Sequence, residues 1–265
     1  MMRSALLALL AVQAASAQFS FSANLPKATK ETHSSLPDYF PKRECRRSDE
    51  ARKLGECIRQ NFEDVLPQIV HGGRLGVPNL APYFVESIDI SFKSESAKFR
   101  VIMKNISAAG LDGTKVTNAS AVLKDNSMVV TVGVFFPKID APGSFELSNG
   151  NFGSLKFGGE GPFKLSFKDM NATLVIHGEK RPGEKYMTVT RVVPYYTVGG
   201  MRVFAKGLVR GRPYLTDAAT NFINRFWREM VVVSRPYLLK PFAEHVSLLA
   251  NAVFQSLPYD LIFPK

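Results

Sequence analysis

The chain has 265 residues, 45% of them hydrophobic and 22% charged, so it is long and apolar enough to bury a sizeable core. Its formal net charge is +11, but the basic residues are not accompanied by the aromatic and basic signature of a nucleic-acid-binding module. Two cysteines are too few for a disulfide-rich scaffold. These features exclude nucleic acid as the expected partner and favour a large domain with a hydrophobic core.

The first seventeen residues have the pattern of a secretory signal peptide. Arg3 precedes a short apolar run, and the small residues Ala15 and Ala17 form a cleavage site. The alternative, a membrane anchor, would need a run of about 20 apolar residues. We therefore predict a signal peptide over residues 1–17, a flexible, polar and proline-punctuated leader over residues 18–41, and a single extracellular domain over residues 42–265.

Cys45 and Cys57 are the chain's only cysteines. In an oxidising compartment a close, even pair is expected to form one disulfide, and two free thiols are the alternative. The four histidines are scattered without the spacing of metal ligands, so we expect no metal and no cofactor.

A short amphipathic helix is predicted after the first cysteine. Ser48 has the position of an N-cap, Pro67 predicts a kink or break, and Gly72-Gly73 ends the helix. Its apolar stripe consists of Leu54, Ile58, Phe62, Val65 and Ile69.

From Tyr83 onward the hydrophobic pattern changes to the period of two that is typical of strands. Turn residues interrupt it at Asp125-Asn126, Asn149-Gly150, Arg181-Pro182-Gly183 and Gly199-Gly200. Gly158–Gly161 is glycine-rich but precedes a strand rather than a helix, so it predicts a strand bend or bulge rather than a phosphate-binding loop. Since no strand-helix-strand alternation is present, we predict an antiparallel meander.

The last fifty residues predict one very long helix, kinked at Pro236 and Pro241. It is apolar nearly all round and must therefore be buried by other elements. The predicted fold class is α+β: a strongly curved antiparallel sheet wrapped around one long C-terminal helix, with a shorter N-terminal helix. The helix's apolar stripe consists of Phe222, Phe226, Trp227, Met230, Val233, Leu238, Phe242, Val246, Leu249 and Val253.

Surface chemistry gives three further predictions. Asn105, Asn118 and Asn171 begin glycosylation sequons, and Asn171 alternates with inward-facing residues and so points outward. No catalytic motif is present, and we predict that the protein is not an enzyme. A basic cluster is either a solvated face or a binding surface for anionic membranes or glycolipids. It consists of Lys42, Arg43, Arg46, Arg47, Arg52 and Lys53.

Five short strings, in this order, resemble the takeout / juvenile-hormone-binding protein family of arthropods. The single cysteine pair is nearer the takeout branch, and Ala81 stands where the family pattern has an acid. The strings are FPKRECRRSDEARKLGECI from Phe40, RLGVPNLAPYFVESIDI from Arg74, NISAAGL from Asn105, NFINRFW from Asn221 and FQSLPYDLIFP from Phe254.

The resemblance implies a tubular lipid-binding-like fold with a hydrophobic tunnel beside the long helix. It implies a secreted carrier of an elongated hydrophobic molecule that is terpenoid, fatty-acid-like or quinone-like. The alternative function is a basic protein acting at anionic membranes or glycolipids. Tyr195 and Tyr196 could offer a hydroxyl to the ligand's polar end. The expected lining residues, which could instead be filled core, are Phe222, Phe226, Met230 and Val233 on the helix and Val101, Met103, Val132, Val134 and Phe136 on strands.

Overall fold

The computed structural model describes residues 16–22, 35–38, 40–72, 77–93, 97–152 and 155–265. The predicted signal peptide lies outside the described residues except for its last two positions. Residues 23–34 and 39 of the predicted leader and Gly73 at the predicted helix end also lie outside them. Gln18 to Ser22, the start of that leader, are not irregular: they belong to the first strand.

The described chain contains four helices, seven strands and one 3₁₀ turn, Leu111–Gly113. The helices are α1 (Ala51–Val70), α2 (Pro213–Arg225), α3 (Trp227–Ser256) and the short α4 (Tyr259–Ile262). The strands are β1 (Ser16–Ser22), β2 (Tyr83–Lys93), β3 (Ala97–Ala108), β4 (Lys115–Leu123), β5 (Ser127–Phe152), β6 (Leu155–Glu179) and β7 (Thr188–Ala205).

All seven strands form one antiparallel sheet in the order β1-β2-β3-β5-β6-β7, with β4 paired to β5 beside this path. Helix α3 contacts both β1 and β7, which are the two ends of that order. A single helix can touch both edges only if the sheet curves around it. The predicted α+β fold, a curved antiparallel sheet around the C-terminal helix, is therefore confirmed.

The core is divided between two hydrophobic clusters. The first, which we call the α1-side core, packs α1 against β4–β7 and the end of the chain, and its most deeply buried members include Cys45, Met128, Met187 and Tyr259. The second, the β2-side core, lies among β2, β3, the far halves of β5 and β6 and the end of β7. It is built from Tyr83, Val85, Ile106, Phe145, Leu147, Phe163 and Ala205.

Two of the predicted turns were wrong, because they lie inside long strands. Gly199 lies within β7, where an added Cβ would meet the Cβ of Asp169 at 2.7 Å. Asn149 has a φ of +54° within β5, where the register shifts between Leu147 and Gly150. Residues that permit tight turns also permit a β-bulge, as at Asn149, and the chain reverses at neither position. The turns at 125–126 and 181–183 are confirmed as hairpin connections.

The glycines of the Gly158–Gly161 segment of β6 allow the chain that follows β7 to approach the strand closely. A Cβ on Gly159 would lie 1.9 Å from the carbonyl oxygen of Gly207, because the chain after β7 folds back against this segment. The Arg210 N–H donates to the Gly158 carbonyl at 2.9 Å. The segment belongs to a strand, as its sequence indicates.

The helices differ from their predictions at prolines and caps. Helix α1 begins after Glu50 without a side-chain cap from Ser48, and it continues through Pro67. Because proline has no N–H, the carbonyl of Glu63, four residues earlier, loses its helical hydrogen bond. Glu63 and Pro67 are both exposed, so water can bind that carbonyl. The predicted stripe is confirmed: Leu54, Ile58 and Val65 are buried.

The predicted single C-terminal helix is divided at Phe226, not at its prolines. Phe226 has φ −109° and ψ 32°, and α3 then runs through Pro236 and Pro241. Helical hydrogen bonds still cross the junction, since the Phe226 N–H donates to Phe222 and the Met230 N–H to Phe226. The two helices therefore act as one long apolar element with a local irregularity.

Candidate ligand-binding site

An apolar cavity of about 220 Å³ lies between α1, α3 and the inner face of β5 and β6. Helix α1 contributes Ile58, Phe62, Val65 and Ile69, and the strands contribute Val130, Val132, Leu174 and Ile176. Helix α3 contributes Val246, Leu249, Ala250, Val253 and Phe254. The remaining wall consists of Phe40, Cys45, Asn61, Val77, Leu80, Ile262 and Phe263.

The helical and strand periodicities of the sequence explain why these side chains line the cavity. The α1 residues follow a stripe three to four residues apart, and the strand residues alternate, so both sets face inward. The disulfide between Cys45 and Cys57 holds the segment before α1 against the helix, with an S–S distance of 2.09 Å. The predicted disulfide is therefore present and borders the cavity through Cys45.

Asn61 is the one polar side chain on this wall. Its amide Nδ2 donates to the Arg43 carbonyl at 2.9 Å and contacts the Cys45 sulfur at 3.2 Å. Asn61 thus fastens the segment before α1 to the helix. The cavity wall carries no charged side chain and suits a hydrocarbon.

A buried polar pair lies beside the cavity. The Tyr83 hydroxyl hydrogen bonds with Nε2 of His245, and their ring centres are 5.4 Å apart. Burial lowers the pKa of His245 to about 4 and raises the pKa of Tyr83 to about 12. Leu80 on the cavity wall forms a β-bridge with Tyr83, so this neutral pair joins β2 to α3 near one end of the cavity.

A second, more open cleft of about 340 Å³ lies where α3 crosses the edge of β7. The Arg235 guanidinium donates to the Tyr196 carbonyl at 3.2 Å and lies over the Tyr196 ring, 5.4 Å from its centre. Burial raises the pKa of Tyr196, and the positive charge of Arg235 acts in the opposite direction. The cleft is lined by Asn171, Thr173, Pro194, Tyr195, Tyr196, Thr197, Arg235 and Leu239.

The predicted lining residues are distributed over several places. Val132 lies on the cavity wall, and Tyr195 and Tyr196 line the open cleft. Val134 and Phe136 pack in the α1-side core, and Val101 and Met103 pack against the β2-side core.

Three of the residues predicted on the first half of the helical element, Phe222, Phe226 and Met230, line neither cavity. Phe222 is 51% exposed, and its ring centre is 4.8 Å from that of Phe226. Met230 is partly buried, and the side chain of Val233 lies outside the described part of the chain.

The sequence interpretation missed α1 and the second half of α3 as cavity walls. Their apolar stripes were visible, but α3 is apolar on nearly every side. Periodicity alone therefore could not show which half of that helix borders the cavity.

The basic cluster is largely neutralised. Arg43 pairs with Asp64, Arg46 with Glu44 and Lys53 with Asp49. Arg47 is buried and pairs with Asp125 and Asp260. Within the described chain only Lys42 and Arg52 of the six form no ion pair. All three sequon asparagines, Asn105, Asn118 and Asn171, have exposed side chains, and their glycosylation stays a prediction.

These features define a protein with an apolar cavity between a curved sheet and helices. The family model described as "Haemolymph juvenile hormone binding protein (JHBP)" matches residues 9–264, and the chain belongs to this family of lipophilic-ligand-binding proteins. No helix in the described ranges is long and apolar enough to cross a membrane.

Two similar proteins accompany the family match. The chain is 22% identical over 212 residues to a "Putative beta-carotene-binding protein" of Schistocerca gregaria, covering 78% of this chain and 82% of that protein. The crystal structure of Takeout 1 from Epiphyas postvittana superimposes with a TM-score of 0.66 at 20% identity, covering 84% of this chain and 99% of that one. The latter similarity shows a shared fold.

Proposed function

We propose that the protein is a secreted, non-enzymatic carrier that holds an elongated hydrophobic molecule, terpenoid, fatty-acid-like or quinone-like, in the apolar cavity. The observation that carries this proposal is a cavity between α1, α3 and the sheet whose wall has no charged side chain. The signal-peptide pattern at the N-terminus supports an extracellular location. The relative named for beta-carotene binding supports a long apolar ligand.

The size of the cavity bears on the length of the ligand. A cavity of about 150 Å³ can hold a benzene-sized molecule, so about 220 Å³ holds only a short apolar segment. An elongated ligand must therefore extend beyond this cavity or widen it. Burying on the order of 400 Å² of apolar surface would contribute about 10 kcal/mol before the entropic cost of binding. Burial, rather than hydrogen bonding, would set the affinity.

The test compares two tryptophan variants on neighbouring positions of α3. Leu249→Trp fills the cavity, whereas Leu248→Trp places the same ring on a residue that is 55% exposed. Both variants and the unmodified protein would be purified natively from a secreting eukaryotic host. Their organic extracts would be analysed by mass spectrometry, and binding of the neutral fluorophore N-phenyl-1-naphthylamine would be titrated.

The carrier function predicts that Leu249→Trp loses the co-purified lipophile and the fluorophore, while Leu248→Trp keeps both. Equal binding by all three proteins would place the ligand elsewhere. No binding by a folded, disulfide-bonded protein would refute the carrier function.

Binding to anionic surfaces is the alternative function and stays a prediction. The basic cluster gives this function little support, because four of its six cations already form ion pairs and only two lack one in the described chain. Sedimentation with phosphatidylserine vesicles over a salt series checks it, because surface attraction should weaken as salt rises.

A further inference from the structure

We infer that Asn171 carries an N-linked glycan whose first N-acetylglucosamine occupies the open cleft and packs against the ring of Tyr195. This inference rests on the secreted location that we propose, because such sugars are added to exported chains. It goes beyond the carrier function, since it assigns an occupant to a cleft that shares no wall residue with the apolar cavity.

The position of the sequon is the first observation. Of the three sequon asparagines, Asn171 alone lines either of the two spaces described above. Thr173, which completes its sequon, lines the same cleft. Asn105 and Asn118 are exposed but line neither space. A sugar linked to the Asn171 amide therefore begins at the wall of the cleft, whereas a sugar on either other asparagine begins outside it.

Strand alternation places the attachment site and an aromatic neighbour on the outer face of the sheet. On β6, Ala172 is buried and Leu174 lines the apolar cavity. Asn171 and Thr173 alternate with them and therefore point outward. On β7, Tyr195 is 61% exposed and borders the cleft from the same outer face.

The register between β6 and β7 brings these groups together. Thr173 is directly opposite Tyr195, and Asn171 is directly opposite Thr197. Asn171 and Tyr195 are therefore diagonal neighbours, which lie about 7–8 Å apart in an antiparallel pair and within reach of an aromatic side chain. A sugar attached to Asn171 can thus lie over the tyrosine ring.

The chemistry of the cleft suits a neutral sugar. The ring of Tyr195 offers an apolar surface to the C–H groups of the sugar, and its hydroxyl remains available for hydrogen bonds. Thr197 adds a hydroxyl, and Arg235 adds guanidinium donors for sugar oxygens. Leu239 adds an apolar side chain that the methyl group of the acetamide can contact.

The size of the cleft agrees with this occupant. A cavity of about 150 Å³ holds a benzene-sized molecule, so about 340 Å³ has room for one sugar ring with its acetamide group. Because the cleft is open, the outer sugars would extend into the solvent. They would cover the middle of β7, which ends the order of the sheet, and exposed strand edges favour pairing with other chains.

The experiment is a double-mutant cycle in the full chain, purified from a secreting eukaryotic host. The proteins are the unmodified chain, Asn171→Gln, Tyr195→Ser and the double variant. Peptide mass spectrometry would measure the glycosylated fraction at Asn171, and calorimetry would measure the Tm. Tyr214→Ser, alone and combined with Asn171→Gln, is the matched control, because Tyr214 is an 81% exposed tyrosine that lines neither space.

We expect Asn171 to be glycosylated and Asn171→Gln to lower the Tm by about 1–3 °C, as the loss of one cross-strand contact does in a chain of this size. In the Tyr195→Ser background, Asn171→Gln should leave the Tm unchanged, since the contact is already absent. In the Tyr214→Ser background it should keep its full effect. Trimming a high-mannose glycan with endoglycosidase H leaves the first sugar and should preserve the Tm of the unmodified protein.

Three results would overturn the inference while the carrier function stands. The first is a secreted protein in which Asn171 is unmodified. The second is an effect of Asn171→Gln that is equal with and without Tyr195, or absent in both, because the sugar would then not pack against the ring. The third is a Tm that falls on trimming, which would place the contact in the outer sugars. Retention of the protein inside the cell would instead contradict the secreted location on which both proposals depend.

Discussion

At the scale of single residues, Arg47 is a buried charged side chain that links distant parts of the chain. Only 6% of its side chain is exposed, and it donates to Asp125 at 3.0 Å and also to Asp260. Its guanidinium lies over the Tyr259 ring, 5.1 Å from the centre. Its backbone N–H donates to the Pro264 carbonyl at 2.8 Å. Arg47 therefore ties the disulfide segment to the end of the chain.

Replacing Arg47 by methionine should lower the free energy of unfolding by about 1.5–3 kcal/mol, because charge-assisted hydrogen bonds and the ring contact are lost. The cost stays moderate because both carboxylates are mostly exposed and regain water. Urea denaturation measures the change. Arg46→Met is the control, since the Arg46–Glu44 pair is exposed and its loss should leave stability unaltered. Equal effects of the two substitutions would contradict this role for Arg47.

His245 gives the protein a dependence of stability on pH. Its pKa is about 4 in the folded state because of burial, against about 6.5 in an unfolded chain. Between these values the unfolded state binds more protons, so stability falls as the pH drops from about 6.5 to about 4. We expect His245 to account for a loss of about 2 kcal/mol over this range, after allowance for residual solvent screening.

His245→Gln should flatten this part of the stability curve, since glutamine can hydrogen bond with Tyr83 but does not titrate. Thermal unfolding between pH 4 and pH 7 measures the slope. His71→Gln is the matched control, because His71 is exposed at the end of α1 and the slope should persist. A slope that survives in His245→Gln would assign the effect to carboxylates instead.

At the scale of elements, side chains of the C-terminal helices form hydrogen bonds with backbone groups on the outer edge of β7. Asn224 of α2 accepts from the Val203 N–H at 2.7 Å and donates to the Val203 carbonyl at 2.8 Å. Asn251 of α3 does the same at Val189, with distances of 2.8 and 3.0 Å. Each amide replaces the hydrogen bonds of a missing neighbouring strand, which protects the edge from pairing with another chain.

Asn224→Leu should therefore lower the free energy of unfolding by about 1–3 kcal/mol, because two partly buried backbone groups lose their partners. It should also accelerate amide hydrogen exchange at Val203, which mass spectrometry of β7 peptides would detect. Asn221→Leu, one turn earlier and exposed, makes the same chemical change away from the strand and should alter neither quantity. Unchanged exchange in Asn224→Leu would mean that the edge does not depend on this amide.

At the scale of the whole molecule, the N-terminal processing can be tested against the fold. Cleavage after Ala17 would leave Gln18 to Ser22 able to pair with β2, since Ser22 is opposite Ser87 and Gln18 opposite Ser91. We expect protein secreted by a eukaryotic host to begin at Gln18, and intact-mass measurement checks this. An Ala17→Lys variant, with a residue unsuited to the cleavage site, should retain the first seventeen residues or fail to be secreted. A wild-type mass that includes Met1 would contradict the predicted signal peptide.

The fold class could be predicted from the sequence because the helical stripes and the strand alternation both indicated an α+β protein with an antiparallel sheet. The stripe from Leu54 to Val65 predicted α1, and alternation after Tyr83 predicted the strands. Turn residues were less informative, since Gly199 and Asn149 lie inside long strands although glycine and asparagine are also the residues that close hairpins. Element type follows from local periodicity, but the choice between a bend and a reversal depends on the partner strand.

The residues of the candidate site could be predicted from the sequence only in part. Val132 lies on the cavity wall, but Phe222, also predicted to line the cavity, is half exposed. A helix that is apolar on most sides offers many possible lining residues, and tertiary packing selects among them.

The contact of α3 with both β1 and β7 has a consequence for biosynthesis. The helix that covers both sheet margins follows all seven described strands along the chain, so the nascent chain presents two unprotected strand edges until α3 has left the ribosome. Non-local closure of this kind is slow, and exposed edges invite aggregation. Closure of the sheet therefore has to wait for the synthesis of α3, and a chain truncated before residue 213 should accumulate as aggregates bound by chaperones rather than be secreted.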